Sequence, residues 1–357
     1  MSATIDQYQA IIRAALENKI PLQIRGGGSK HFYGNPVAER HGTLLDMTGY
    51  HGIVDYEPTE LVITARAGTR LADLETALDQ HGQMLAFEPP HFGAAATLGG
   101  CIAAGLSGPR RAAAGSVRDF VLGVRMLDGK GEDLHFGGQV MKNVAGYDVS
   151  RLMAGSMGTL GVLLEVSLKV LPKPVAGLTL GMAMDEAAAI EKMNQWAGKP
   201  LPVSATCYTD GRLFLRLSGA EPAVRAAQVK LGGETLKDDD MFWRSVREHT
   251  HDFFRPDKPL WRLSIRSTTP PLLLPGKQLL EWNGGLRWLR TGGGEDAEAI
   301  RAAANEAGGH ATLFRHNQSG ISVFHPLPSG MMKIHRALKE KFDPSGIFNP
   351  RRLYSEI

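Results

Sequence analysis

A chain of 357 residues exceeds the length at which one hydrophobic core usually keeps growing, which predicts two domains. With 43% hydrophobic and 22% charged residues the balance is that of a globular protein, and a net charge of +3 without a basic tract argues against nucleic acid as a partner. Two cysteines, Cys101 and Cys207, are too few for a disulfide framework or a Cys₄ iron–sulfur site and fit a reducing compartment.

The opening "MSATIDQYQAIIRAALENK" lacks the apolar core of a secretory signal, and no stretch nears the roughly 20 apolar residues of a membrane span. A cytoplasmic protein is expected, touching a membrane only through partners. Ile5, Tyr8, Ile11, Ile12, Ala15 and Leu16 recur at helical spacing and predict a helix over 5–18, which Pro21 ends. "LQIR" and "TLLDM" read as short strands. "GIVDYEPTELVITARAG" reads as two strands around a turn, and "TRLADLETALDQHG" as a helix with Thr69 as its cap. The Gly/Ala/Pro-rich stretch after it precedes a hairpin in "VLGVRMLDGKGEDLHF", a short helix in "YDVSRLMAGSMG" and a long strand closed by prolines near 172–174. Beyond that boundary, strand, helix, hairpin and helix follow each other, and a looser version of the same series comes after. This predicts an α+β domain with helices on one face of an antiparallel sheet, built from two degenerate repeats. The tail "MMKIHRALKEKFDPSGIFNPRRL" is an amphipathic helix and a Pro/Gly-punctuated turn. The expected division is residues 1–173, 174–330 and 331–357.

The run "PLQIRGGGSK" demands an explanation. It lacks the Lys-Ser/Thr ending of a phosphate-binding P-loop, and "GGGSKHFYG" is a poor helix start for a dinucleotide fingerprint. Consecutive glycines can aim backbone N–H groups at an anion, or they can form a flexible loop, and the run alone leaves both open. "EPPHFGAAATLGGCIAAGLSGP" adds small residues and a possible helix start able to point N–H groups at a phosphate. "KNVAGYDVSRLMAGSMGTLGVLLEVSLKVLP" repeats the theme.

These segments, with "KEKFDPSGIFNPRRL", resemble the FAD-linked oxidases of the vanillyl-alcohol oxidase and p-cresol methylhydroxylase type over roughly residues 1–173 and 335–357. Within that family, the form of the first loop is most similar to the FAD-binding E subunits of bacterial glycolate oxidases. The resemblance implies a two-part FAD-binding domain of the p-cresol methylhydroxylase type with a smaller α+β cap. It implies that Gly26, Gly27, Gly28, Ser29 and Lys30 cradle the FAD pyrophosphate, and that Thr97, Gly99 and Gly100, with Gly105 and Ser107, line the other side of the dinucleotide. Arg25 and Pro90 are further implied cofactor-binding residues. Arg118 and Asp119 brace the loop, Gly161 and Val162 flank the adenine end, and Asn349 returns to the flavin. The implied partners are a larger homologous FAD subunit and an iron–sulfur subunit, in a complex that oxidises a small 2-hydroxy acid, glycolate, to glyoxylate.

Three departures matter. Ser29 stands where many relatives carry a histidine that bonds FAD covalently, so the cofactor is expected to be non-covalent. "GSMGTLG" has Met157 in place of an acid. The histidine-rich cap element of relatives that oxidise hydroxy acids is absent. Oxidising a 2-hydroxy acid needs a cation for the carboxylate and a base for the hydroxyl proton. His91, Tyr147, Arg315, His316 and His325 are candidates, although no motif frames them. The missing element favours an accessory or electron-transferring subunit over a catalytic one. His249 and His251 are spaced as metal ligands can be, but nothing completes a site, and no metal is expected. Trp282, Trp288 and Arg290 have the composition of an interface hot spot, or of a cap core.

Overall fold

The computed structural model describes residues 2–36, 42–138, 148–255, 257–294, 296–315 and 320–357. Helix α1 (Ser2–Asn18) buries Ile5, Tyr8, Ile12 and Ala15 along one stripe, as the sequence spacing requires. It packs on β1 (Leu22–Arg25) and β2 (Thr43–Asp46), a parallel pair that the tail completes through a bridge from Leu22 to Phe348.

The second layer carries β3 (Ile53–Glu57), β4 (Val62–Arg66), α2 (Leu71–Asp79), β5 (Gln83–Met84), α3 (Leu98–Ala104), α4 (Arg111–Ala114), α5 (Val117–Phe120), β6 (Val121–Leu127), β7 (Asp133–Gly137), α6 (Val149–Leu152), β8 (Val162–Lys169) and β9 (Leu171–Pro172). Among the described residues five of these strands make one antiparallel sheet, in the order β3-β4-β8-β6-β7. Leu71, Leu74 and Leu78 of α2 and the inner faces of β6 and β8 share its core. The expected cap at Thr69 is corrected. Arg70 occupies the cap position without a side-chain bond, and the Thr69 hydroxyl instead bridges both backbone groups of Gly52.

The rest of the chain adds β10 (Ala176–Ala183), α7 (Glu186–Ala197), β11 (Val203–Thr209), β12 (Arg212–Gly219), α8 (Glu221–Leu231), β13 (Glu234–Thr235), α9 (Asp239–Arg247), β14 (Leu260–Ser264), β15 (Lys277–Glu281), β16 (Leu286–Arg290), α10 (Ala297–Glu306), β17 (His310–Arg315) and α11 (Ser329–Phe342). Eight strands form an antiparallel sheet in the order β13-β10-β12-β11-β15-β16-β14-β17. That order is symmetric about the β11–β15 junction. Each half is a β-α-β-β-α-β unit with its fourth strand outermost, except that an extended segment over 265–276 replaces the first helix of the second half. The looser repeat in the sequence is this second unit.

Trp282 and Trp288 are 6% and 4% exposed, so the interface expectation gives way to the core one. Burial requires each indole N–H to find an acceptor: Trp288 donates to Glu281 Oε2 (2.8 Å) and Trp282 to the Gly108 carbonyl (3.0 Å). Among the described residues, no helix is long and apolar enough to cross a membrane.

Candidate functional site

The glycine run lies at the end of β1, where the ladder leaves backbone donors open. Along the edge of β1 the returning tail takes alternate amides: Leu22 N–H donates to Ile347 O (2.7 Å) and Ile24 N–H to Asn349 Oδ1 (2.9 Å). Gly26 comes next in that register. Among the described residues, none of the five amide N–H groups from Gly26 to Lys30 finds an acceptor. Five consecutive unmet donors beside a cavity are a binding surface for an oxyanion.

Two glycines seat this loop. A Cβ on Gly26 would lie 2.2 Å from Thr97 Oγ1, and one on Gly27 would lie 1.5 Å from the Ala95 carbonyl oxygen. The run therefore packs backbone to backbone on the second small-residue segment. Gly28 differs. Its φ is +70°, and the side where a Cβ would go is open.

Two cations flank the loop without a carboxylate in ion-pair range among the described residues. Burial pushes the Lys30 ammonium below its ordinary pKa against the pull of Glu248, and its Nζ donates to the His91 carbonyl (3.2 Å). Arg352 is 6% exposed, and its guanidinium is held by the carbonyls of His31 (2.7 Å), Tyr33 (2.5 Å) and Asn35 (2.6 Å). Burial lowers its pKa to about 10. Sequence reasoning missed Arg352, although it stands two residues beyond the "NP" it singled out.

Arg25, the residues from Gly26 to Lys30, Thr97, Gly100 and Asn349 line one lobe of the cavity with Arg352, while Gly99 and Gly161 line the adjoining lobe with Met47 and Leu163. Asn349 is buried and ties three segments, because its Nδ2 also donates to Met157 O (2.7 Å). Met157, in the position of the family's acid, is a buried wall of both lobes.

The remaining sequence candidates line neither lobe. Pro90 and Val162 are buried, and Gly105 closes α3 in a left-handed conformation against Gly155. The Ser107 hydroxyl accepts the Val117 N–H (2.9 Å). Arg118 is exposed, while Asp119 closes a capping box with Ser116. The expected row of phosphate-facing donors at α3 is also corrected. Leu98 and Gly99 donate to Thr69 O and Ala67 O, both at 2.8 Å, and Gly100 turns to Thr97 Oγ1. The Cys101 thiol beneath is raised to about 11 by burial and stays neutral.

A cleft of about 1320 Å³ opens beside Ser29 between the two large sheets' layers. His91 and Arg315 both line it. His91 Nε2 lies 3.2 Å from Glu75 Oε2, and the Arg315 guanidinium covers the rings of Phe32 and Phe92. Glu248 clamps the His91 loop by accepting the backbone N–H of His91 (3.0 Å) and Phe92 (2.8 Å). His325 lies in a different cleft, and Tyr147 and His316 fall outside the described residues. His249 stacks on Phe254 at 3.9 Å, and His251 Nδ1 accepts the Phe253 N–H, so the two rings serve packing and a turn.

The donor set fits the pyrophosphate of a dinucleotide: five free amides, with Lys30 and Arg352 outside ion-pair range of any carboxylate among the described residues, line the cavity. Residues 2–137 match the family described as "FAD binding domain". The chain is 50% identical over 355 residues to glycolate oxidase subunit GlcE of Escherichia coli, covering 99% of both chains. It is 31% identical to glycolate oxidase subunit GlcD of Bacillus subtilis over 49% of this chain and 37% of that one. It is 34% identical to a D-lactate dehydrogenase of Archaeoglobus fulgidus over 47% of this chain and 37% of that one. A solved structure of alkyldihydroxyacetonephosphate synthase superposes with a TM-score of 0.66 over 97% of this chain and 75% of that one, at 16% identity. That likeness is one of fold.

Proposed function

Since the chain belongs to the E-subunit family of glycolate oxidases, FAD-linked oxidoreductases, we propose that it is the FAD-holding subunit of a multi-subunit complex that oxidises glycolate to glyoxylate. In this reading residues 1–173 with 331–357 hold the cofactor and 174–330 form the cap. The partners are a larger homologous flavin subunit and an iron–sulfur subunit. The complex is cytoplasmic and meets a membrane only peripherally.

The observation that carries the reading is the row of five open amides from Gly26 to Lys30. FAD, when bound, supplies the two-electron acceptor chemistry. The amides and Lys30 bind the pyrophosphate, Arg352 braces the loop, and Asn349 fixes the strand on which the loop is mounted. With Ser29 at the usual attachment position the cofactor is held non-covalently. Acid precipitation should leave the yellow colour in the supernatant, and colour retained in the washed pellet would overturn this.

The chain serves as an accessory or electron-transferring flavin subunit, because its cap lacks the histidine-rich element. A second reading has one observation in its favour: His91, next to Glu75, and Arg315 share a cleft and could serve as base and carboxylate clamp. Anaerobic mixing of the FAD-loaded chain with glycolate separates the two. Unbleached flavin is expected, and rapid bleaching would assign catalysis to this cleft.

A further inference from the structure

Glu248 touches the cofactor domain from the cap without lining the cradle. It follows the last turn of α9, and its side chain is 14% exposed. It lines the cleft beside Ser29 but neither lobe of the cavity. Its Oε2 accepts the N–H of His91 (3.0 Å) and of Phe92 (2.8 Å), and its Oε1 accepts from Arg247 Nε (2.8 Å). A cap carboxylate thus holds two successive amides of the cofactor domain, 157 and 156 positions away.

The loop it holds has a backbone that needs holding. Phe92 has a φ of +52° and Gly93 one of +137°. The left-handed region is unfavourable for a bulky residue such as phenylalanine and persists where the surroundings over-determine it. Here two charge-assisted hydrogen bonds do so. In this conformation the His91 carbonyl faces Lys30, whose Nζ donates to it at 3.2 Å. The other contacts of Nζ are longer, the Ser29 hydroxyl at 3.5 Å and the Phe92 ring at 5.8 Å. An ammonium on a flexible stem is aimed only by its partners, and one carbonyl leaves it donors for a ligand. Burial lowers the Lys30 pKa and Glu248 opposes that shift, so the carboxylate that fixes the loop also favours the charged ammonium.

Glu88 offers a contrast. It also joins the two layers, through Arg216 of β12, but Arg110, its partner on the cofactor side, lines neither lobe. The route through His91 is the one that ends in the cradle.

We propose that Glu248 is a positioning residue for the cofactor: it clamps the His91 loop so that the His91 carbonyl aims Lys30 at the FAD pyrophosphate, which couples the seating of the cap to cofactor binding. The inference rests on the FAD reading of the cradle. Such coupling is reciprocal, so bound FAD holds the cap as the cap holds Lys30.

The test is titration of the flavin-free full chain with FAD, followed by flavin fluorescence. Glu248→Ala should weaken FAD by roughly tenfold, the effect of misplacing one charge-assisted contact. Glu248→Asp, too short to reach both amides, should show the same loss and reads the site even if the alanine variant does not fold. Glu248→Gln keeps an oxygen where Oε2 stands and should stay within about threefold of wild type. In a Lys30→Ala background, Glu248→Ala should add less than about twofold, because the clamp then has nothing to aim. Trp282→Phe breaks the bond to the Gly108 carbonyl, a joint of the same layers that leads to no cradle residue, and should leave FAD affinity unchanged. FAD should slow proteolysis of the Pro172–Ala176 crossover in wild type and less so in Glu248→Ala. FAD affinity unmoved in Glu248→Ala and Glu248→Asp, a full loss in Glu248→Gln, additivity with Lys30→Ala, or an equal loss in Trp282→Phe would each overturn the proposal and leave the cradle standing. A wild-type chain that binds no FAD would overturn both.

Discussion

Gly27 and Gly28 are adjacent glycines with different reasons to be glycine. A side chain on Gly27 would enter the Ala95 carbonyl, so Gly27→Ala forces two backbones apart. Overpacking of this kind costs about 1–3 kcal/mol, and a lowered Tm should accompany the loss of FAD. On Gly28 a side chain has room, but the left-handed backbone and the phosphate beyond it do not tolerate a carboxylate. Gly28→Asp should abolish FAD binding while costing only about 1 kcal/mol of stability. Lys30→Ala should weaken FAD binding without abolishing it. Flavin content in Gly28→Asp equal to wild type would refute the cradle. Asn349→Ala removes one acceptor and one donor from buried partners and should cost about 1–3 kcal/mol in chemical denaturation. The glycines and Asn349 were legible because their spacing is a motif. Arg352 was not, because its three partners are carbonyls of a loop more than 300 positions away, and nothing local marks it.

Among the elements, those with a clear apolar period stand near where the sequence puts them: α1, α2, the hairpins and α10. Helix α9 was invisible. Its sequence "DDMFWRSVR" is mostly polar, with Trp243 and Val246 buried in the core and Phe242 packed against it half-buried. The helix start at α2 misled because Thr69 is a good cap by type, yet tertiary packing uses its hydroxyl on Gly52. Strand β15 ends on a buried acid that the sequence could not flag. Burial holds the Glu281 pKa at about 7, with Glu88 adding to the rise, while the Trp288 N–H and the charges of Arg262 and Arg216 oppose it. A group whose pKa is raised in the folded state contributes stability that is complete below its unfolded value and is lost as pH rises through the folded one. Unfolding free energy should therefore fall between about pH 4.5 and 7, by at most on the order of 3 kcal/mol for this group. Glu281→Gln keeps an acceptor for Trp288 and should remove that slope. An unchanged slope in denaturation at several pH values would show that another group carries it.

Across the whole molecule, a few polar contacts join the layers. Glu88 accepts from Arg110 on its own side (3.3 Å) and from Arg216 of β12 (2.8 Å), and the two arginines hold its carboxyl below the usual range although burial pushes it up. Glu88→Ala would leave two largely buried guanidinium groups unpaired and should cost about 3–5 kcal/mol. Limited proteolysis should then cut the Pro172–Ala176 crossover faster, and an unchanged rate would mean that the Trp282–Gly108 and Glu248 contacts suffice. The last feature with reach is the pairing of the first loop with the tail, where Ile24 and Asn349 bond across 325 positions. A ribosome adding about 5–20 residues per second delivers Asn349 roughly 15–60 seconds after Ile24. During that interval the donors at the end of β1 exist but their mount does not. Flavin capture is thus an event of the finished polypeptide, and a nascent chain halted before residue 349 should emerge colourless however much FAD surrounds it.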